Sequence, residues 1–286
     1  MAAADLIAHL AGVVAPVFLV SAVGYAWARL GRPFDQAFVT NVVTLVGAPC
    51  LVFATLVKVR LSAGEMAVMG GATAACLLLF AVVGAAALRL ARLKQRVYLP
   101  SLVFPNIGNM GLPVCLFAFG EHGLGLAMIY FTVCTLLQFC FGPAIAAGRL
   151  RLDLVARTPF LYAAVLALGV GGAGVEPPEW LMRTVELVGD VTIPLMLMAL
   201  GAALAQFRVG GWGRQLVLSA GRLLLGAAGG WVVAVALGLD GAARGVLVIQ
   251  SAMPVAVFNY LFASLYGEQP EESGRSGAAV HHLVVP

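Results

Sequence analysis

Charge is what this sequence has least of. Only 10% of its 286 residues are Asp, Glu, Lys or Arg and the mean hydropathy is +0.99, whereas a soluble domain carries about 25% charged residues. Water cannot be the main solvent of such a chain. Cysteine is also scarce: Cys50, Cys76, Cys115, Cys134 and Cys140 all lie in apolar runs, which excludes a disulfide framework or a zinc spacing. They read as small buried hydrophobes. Lys and Arg number 17 against 13 Asp and Glu, but the basic residues stand in loops without interleaved aromatics, which argues against nucleic acid as a partner. The sequence contains no P-loop, nucleophile elbow or His-Glu metalloprotease pair. Gly169-Val170-Gly171-Gly172-Ala173-Gly174 follows an apolar span and runs into Glu176-Pro177-Pro178, so it fails the strand-then-helix test for a dinucleotide site. No metal or cofactor is expected. An intramembrane enzyme is the weakest reading, because no nucleophile, base and orienting group share a helical spacing.

What is abundant is apolar sequence long enough to cross about 30 Å of hydrocarbon as helix. Nine runs qualify: Leu6 to Ala28, Phe38 to Val57, Met66 to Leu88, Val97 to Phe119, Gly123 to Gly148, Pro159 to Val175, Leu187 to Leu204, Leu216 to Leu239 and Gly245 to Tyr266. The first follows no Lys or Arg and is long enough to span, so it reads as a helix rather than a signal peptide. Twelve Lys and Arg fall in one set of alternate loops and four in the other. The positive-inside rule then makes the chain a multi-pass protein of the cell membrane with its N-terminus outside. Arg222 is left within the eighth run, near enough to its cytoplasmic end for a long side chain to snorkel to the headgroups.

The basic loop Arg149 to Arg157 divides the chain into two parts of similar size. Pro16, Pro33, Pro49 and Pro113 have counterparts in Pro159, Pro177, Pro194 and Pro254, at offsets of 143, 144, 145 and 141 residues. Leu112-Pro113-Val114-Cys115-Leu116-Phe117 also resembles Met253-Pro254-Val255-Ala256-Val257-Phe258 in pattern. The reading is an internal duplication of odd-span units, hence an inverted repeat. Residues 1–148 form the first unit, 149–158 a cytoplasmic linker, 159–266 the second unit and 267–286 a polar tail.

The fourth run contains Pro105-Asn106-Ile107-Gly108-Asn109-Met110-Gly111-Leu112-Pro113. Each proline removes a backbone donor and crowds the preceding turn, and the glycines favour unwinding, so the helix is expected to break there. The ninth run carries the same kind of interruption at Gln250-Ser251-Ala252-Met253-Pro254, followed by Asn259 and Tyr260. Opened backbone survives at membrane depth only inside protein or beside a watery cavity, and half-helix N-termini pointing inward favour a carboxylate. Asn106, Gly108, Asn109, Gly111, Gln250 and Asn259 are the expected substrate-binding set, with Pro105, Pro113 and Pro254 marking the breaks. Asp190 and Gln138 are the intramembrane polar groups considered for coupling, Asp190 as the carrier of a proton or ion, with interfacial placement the equal alternative for it. Gly226 and Gly230 have the spacing of close helix packing.

These residues resemble the auxin efflux carrier family of membrane transporters, which includes plant auxin exporters and bacterial proteins linked to malate or malonate transport. The resemblance rests on the segments from Pro105 to Pro113, from Gly189 to Leu195 and from Met253 to Tyr260. It implies an all-α polytopic fold of two inverted five-helix repeats, with broken fourth and ninth helices that cross, and elevator-like movement of the crossing domain against a scaffold. Asn106 and Asn109 match the family's first crossover and Pro254 its second. Gly267 to Pro286 is polar where the family has a tenth helix, so that helix is expected to be absent. The leading expectation is a secondary transporter of a small organic anion. A sodium-coupled symporter of similar fold and a non-transporting receptor or assembly protein are its rivals, and a homodimer stays open.

Overall fold

The computed structural model of the chain describes residues 3–59, 61–147, 159–206 and 212–255. The expected linker, Asn259 and the polar tail with its question of a tenth helix lie outside the described residues. Those described are almost entirely helical: α1 Ala3–Arg29, α2 Gln36–Val42, α3 Ala48–Val59, α4 Ala63–Leu90, α5 Gln95–Val103, α6 Leu112–Ala147, α7 Pro159–Gly172, α8 Glu179–Asp190, α9 Thr192–Gln206, α10 Trp212–Ala236 and α11 Gly241–Ser251. Two π-helical turns, Val43–Gly47 and Ile107–Gly111, precede α3 and α6.

Six helical stretches among the described residues are long and apolar enough to cross a membrane, with Pro159–Gly171 a shorter apolar helix beside them. Nine apolar runs become six such stretches for local reasons. The fourth and fifth runs join through α6, whose two parts meet at Gly120, with φ 65° and ψ −159°. A side chain rarely adopts that backbone conformation, which glycine reaches freely. The helix that enters the ninth run, α11, is 11 residues long and ends at Ser251. The seventh begins earlier than expected, because amphipathic α8 leads almost directly into α9.

Both π turns end just before a proline. Pro49 and Pro113 are each the second residue of the helix that follows. A proline ring in an α-helix clashes with the carbonyl four residues back, here that of Leu45 or Asn109, and both lie within a π turn. The wider turn relieves that clash.

The helices pack as two groups. In one, α1 crosses α9 with backbones almost touching, and α3 lies against α7 and α8. A Cβ on Gly24 would strike the Met198 carbonyl, and one on Gly201 the Ser21 carbonyl. In the other, α4, α5, α6, α10 and α11 enclose the buried Phe80, Tyr130, Met69 and Leu247. Each group draws on both halves of the sequence. Gly226 and Gly230 of α10 meet Ser251 and Val248 of α11, the close packing that their spacing suggested. The groups touch where α6 meets α1, α3 and α7, and where the second π turn meets α9.

Candidate functional site

The fourth segment leaves its helix after Val103 and is wound again from Ile107. The open stretch is therefore shorter than the proline-to-proline motif: Phe104 to Asn106 is non-helical, Ile107 to Gly111 is a π turn, and Pro113 sits harmlessly in the first turn of α6. Asn106 has φ −79° and ψ 65°, and the Ile107 N–H donates to the Pro105 carbonyl at 2.9 Å, the pattern of an inverse γ-turn. The ninth segment opens after Ser251, where the Ala252 N–H still donates to Val248 at 2.9 Å before the chain extends through Met253 and Pro254.

The two openings meet. Pro105 and Val255 form an isolated antiparallel β-bridge, and the Asn106 N–H donates to the Pro254 carbonyl at 2.8 Å. Each segment thus answers part of the other's lost hydrogen bonding, which lipid cannot do. Just beyond the crossing, no backbone carbonyl among the described residues accepts from the N–H of Gly108 or Asn109. They stand at the start of a half-helix, where the helix dipole is positive.

The side chains around the crossing come from both groups of helices. Asn106 is buried, whereas Gly108 and Asn109 are half-buried. Gly108 faces Met196 of α9 at 3.1 Å and Phe131 of α6 at 3.3 Å, measured from where its Cβ would stand. The Phe131 ring lies 5.0 Å from that of Phe160 in α7. Gly111 leaves room for the Gln250 side chain, which a Cβ there would overlap. Gln250 is fully buried, and both of its amide atoms lack partners among the described residues.

Asn106, Gly108, Asn109, Gly111, Gln250, Pro105 and Pro254 are therefore gathered near one crossing. Asp190 and Gln138 stand elsewhere: Asp190 is exposed at the C-terminal end of α8, and Gln138 is half-buried in α6. Glu186, one turn from Asp190, pairs with Lys58 at 3.1 Å. A groove of about 290 Å³, lined by Val43, Gly47, Val191 and Thr192 among others, lies beside the junction of α8 and α9. A second of about 200 Å³ lies between Glu65 and Leu239.

Sequence reasoning misplaced Arg222. It lies ten residues into α10, about 15 Å along the axis, and is wholly buried rather than snorkelling to an interface. Its Nη2 donates to the Ser251 carbonyl at 2.8 Å, and its guanidinium lies 5.0 Å from the centre of the Phe80 ring. Tyr130 Oη and Ser251 Oγ are 3.2 Å apart. The signal available in the sequence was Gly226, one turn after Arg222, which leaves space for that crossing.

Comparison with known proteins follows the same line. The family model described as membrane transport protein matches residues 9–149 and 144–276. The uncharacterized transporter MJ1031 of Methanocaldococcus jannaschii is 27% identical over 176 residues, covering 56% of each protein. The chain thus spans about half the length of the curated relative it matches.

Proposed function

Because the chain belongs to the membrane transport protein family, that of the auxin efflux carriers, we propose that it is a secondary transporter carrying a small organic anion across the cell membrane. The observation that carries this reading is the hydrogen bond from Asn106 N–H to the Pro254 carbonyl, which joins two opened helices. Around it lie the N–H groups of Gly108 and Asn109, which no backbone carbonyl among the described residues takes up, and the amides of Asn106 and Asn109, a set of donors and positive dipole ends suited to a carboxylate. Alternating access would come from movement of one helix group against the other. Residues 63–147 with 212–255 carry the crossing, while 3–59 with 159–206 form the scaffold, in an elevator-like motion. In this reading the two groups derive from inverted repeats, the N-terminus lies outside, and Asp190 is the group for a coupling proton or sodium ion.

The test is flux. Purified protein in liposomes is expected to release preloaded labelled malate, malonate or indole-3-acetate faster than empty liposomes. Asn109→Ala should raise the KM about tenfold, the effect of losing about one charge-assisted hydrogen bond. Flux indifferent to alanine at both Asn106 and Asn109 would refute the assignment of the site.

A further inference from the structure

We propose that Arg222 is the residue that makes the crossing select anions, a role that rests on the transport reading above. A guanidinium stays protonated in proteins and offers five N–H donors. Here one nitrogen, Nη2, serves the Ser251 carbonyl, while Nε and Nη1 are buried with no partner among the described residues. None of the ion pairs among the described residues includes Arg222. Its neighbours are the Phe80 ring, the Gly226 backbone and the Ser251 carbonyl, with Tyr130, Cys76 and Cys134 in electrostatic range. An unpaired buried charge is strongly unfavourable, so its position calls for a counter-charge, which none of the described residues supplies.

Its place in the fold says where that charge is used. Ser251 is the last residue of α11, the half-helix whose continuation makes the crossing at Pro254 and Val255. Gly226 keeps this approach open, since a Cβ there would overlap the Ser251 carbonyl and come within 2.7 Å of Nη1. On the adjoining residue, the Gln250 amide, without a partner among the described residues, points to Gly111 in the other broken segment. A fixed cation behind this end of the crossing, in surroundings poor in water, favours a carboxylate there and opposes a neutral or cationic solute.

The experiment compares wild type, Arg222→Gln and Arg222→Lys in liposomes, each first checked for monodispersity in detergent. Flux is measured for whichever of labelled malate, malonate or indole-3-acetate is carried, and for the corresponding uncharged amide. Wild type should prefer the acid by at least about tenfold, Arg222→Gln should lower that ratio to below about threefold, and Arg222→Lys should keep it with a raised KM, because the charge remains while the fork geometry is lost. A merely structural tie between α10 and α11 would slow acid and amide alike. An unchanged acid-to-amide ratio in Arg222→Gln overturns the proposal. If Arg222→Gln does not fold, a collapsed ratio in a folded, active Arg222→Lys overturns it instead. Wild type that carries no acid refutes the transport reading itself, which separates that failure from one confined to Arg222.

Discussion

The Asn106 N–H and the Pro254 carbonyl lie 2.8 Å apart although 148 positions separate them in the chain. That bond, with the bridge from Pro105 to Val255 beside it, places two interrupted membrane segments across each other. It turns two separate irregularities into one crossing.

The crossing can be trapped covalently. Residues facing each other across an antiparallel bridge have Cα atoms about 4.5 to 5.5 Å apart, within the range a disulfide accepts. With the five native cysteines replaced, Pro105→Cys with Val255→Cys is expected to cross-link under mild oxidant. A protease site inserted between residues 149 and 158 makes the bond visible, because the cut halves stay together on a non-reducing gel. Halves that separate after oxidation would contradict the crossing.

Two glycines are expected to resist enlargement, each for a different purpose. Gly201 lets α9 meet the Ser21 carbonyl of α1, and Gly111 accommodates Gln250 at the crossing. Alanine at either position should cost about 1 to 3 kcal/mol through overpacking, read as a lower unfolding midpoint in detergent. At Gly111 the loss should extend to flux. Gly12 has open space around it, so Gly12→Ala should leave the midpoint unchanged or raise it.

Asp190 tests the coupling proposal separately from the binding site. It is an exposed carboxylate within the apolar 27-residue stretch Glu179–Ala205, where a charge needs water, a proton or an ion. Asp190→Asn is expected to abolish the response of flux to an imposed pH or sodium gradient and to leave the KM for the anion within about twofold. A gradient response identical to wild type would remove Asp190 from the mechanism.

Much of this was legible because proline and glycine act locally. Pro105, Asn106 and Gly108 announced a broken helix from their own backbone chemistry, and Gly226 and Gly230 announced a close crossing. The helical class followed from the apolar runs. What could not be read was set by packing. The π turn before Pro113 shortens the opening that two prolines seemed to require, and Gly120 joins two runs that looked separate. Arg222 is the clearest case. Its distance from the end of an apolar run suggested an interface, but its environment is fixed by Phe80 and Ser251, which lie 142 and 29 positions away in the chain. Asn106 could be read as a candidate, whereas its partner carbonyl at Pro254 depends on two segments meeting in space.

The central claim is that a solute occupies the crossing, and protection of a cysteine at Asn109 tests it most directly. In a cysteine-free background that retains flux, Asn109→Cys should react with a small hydrophilic maleimide, and saturating labelled malate, malonate or indole-3-acetate, whichever is carried, should slow that reaction by about tenfold or more. A modification rate that does not change when the transported acid is added would show that the solute binds elsewhere.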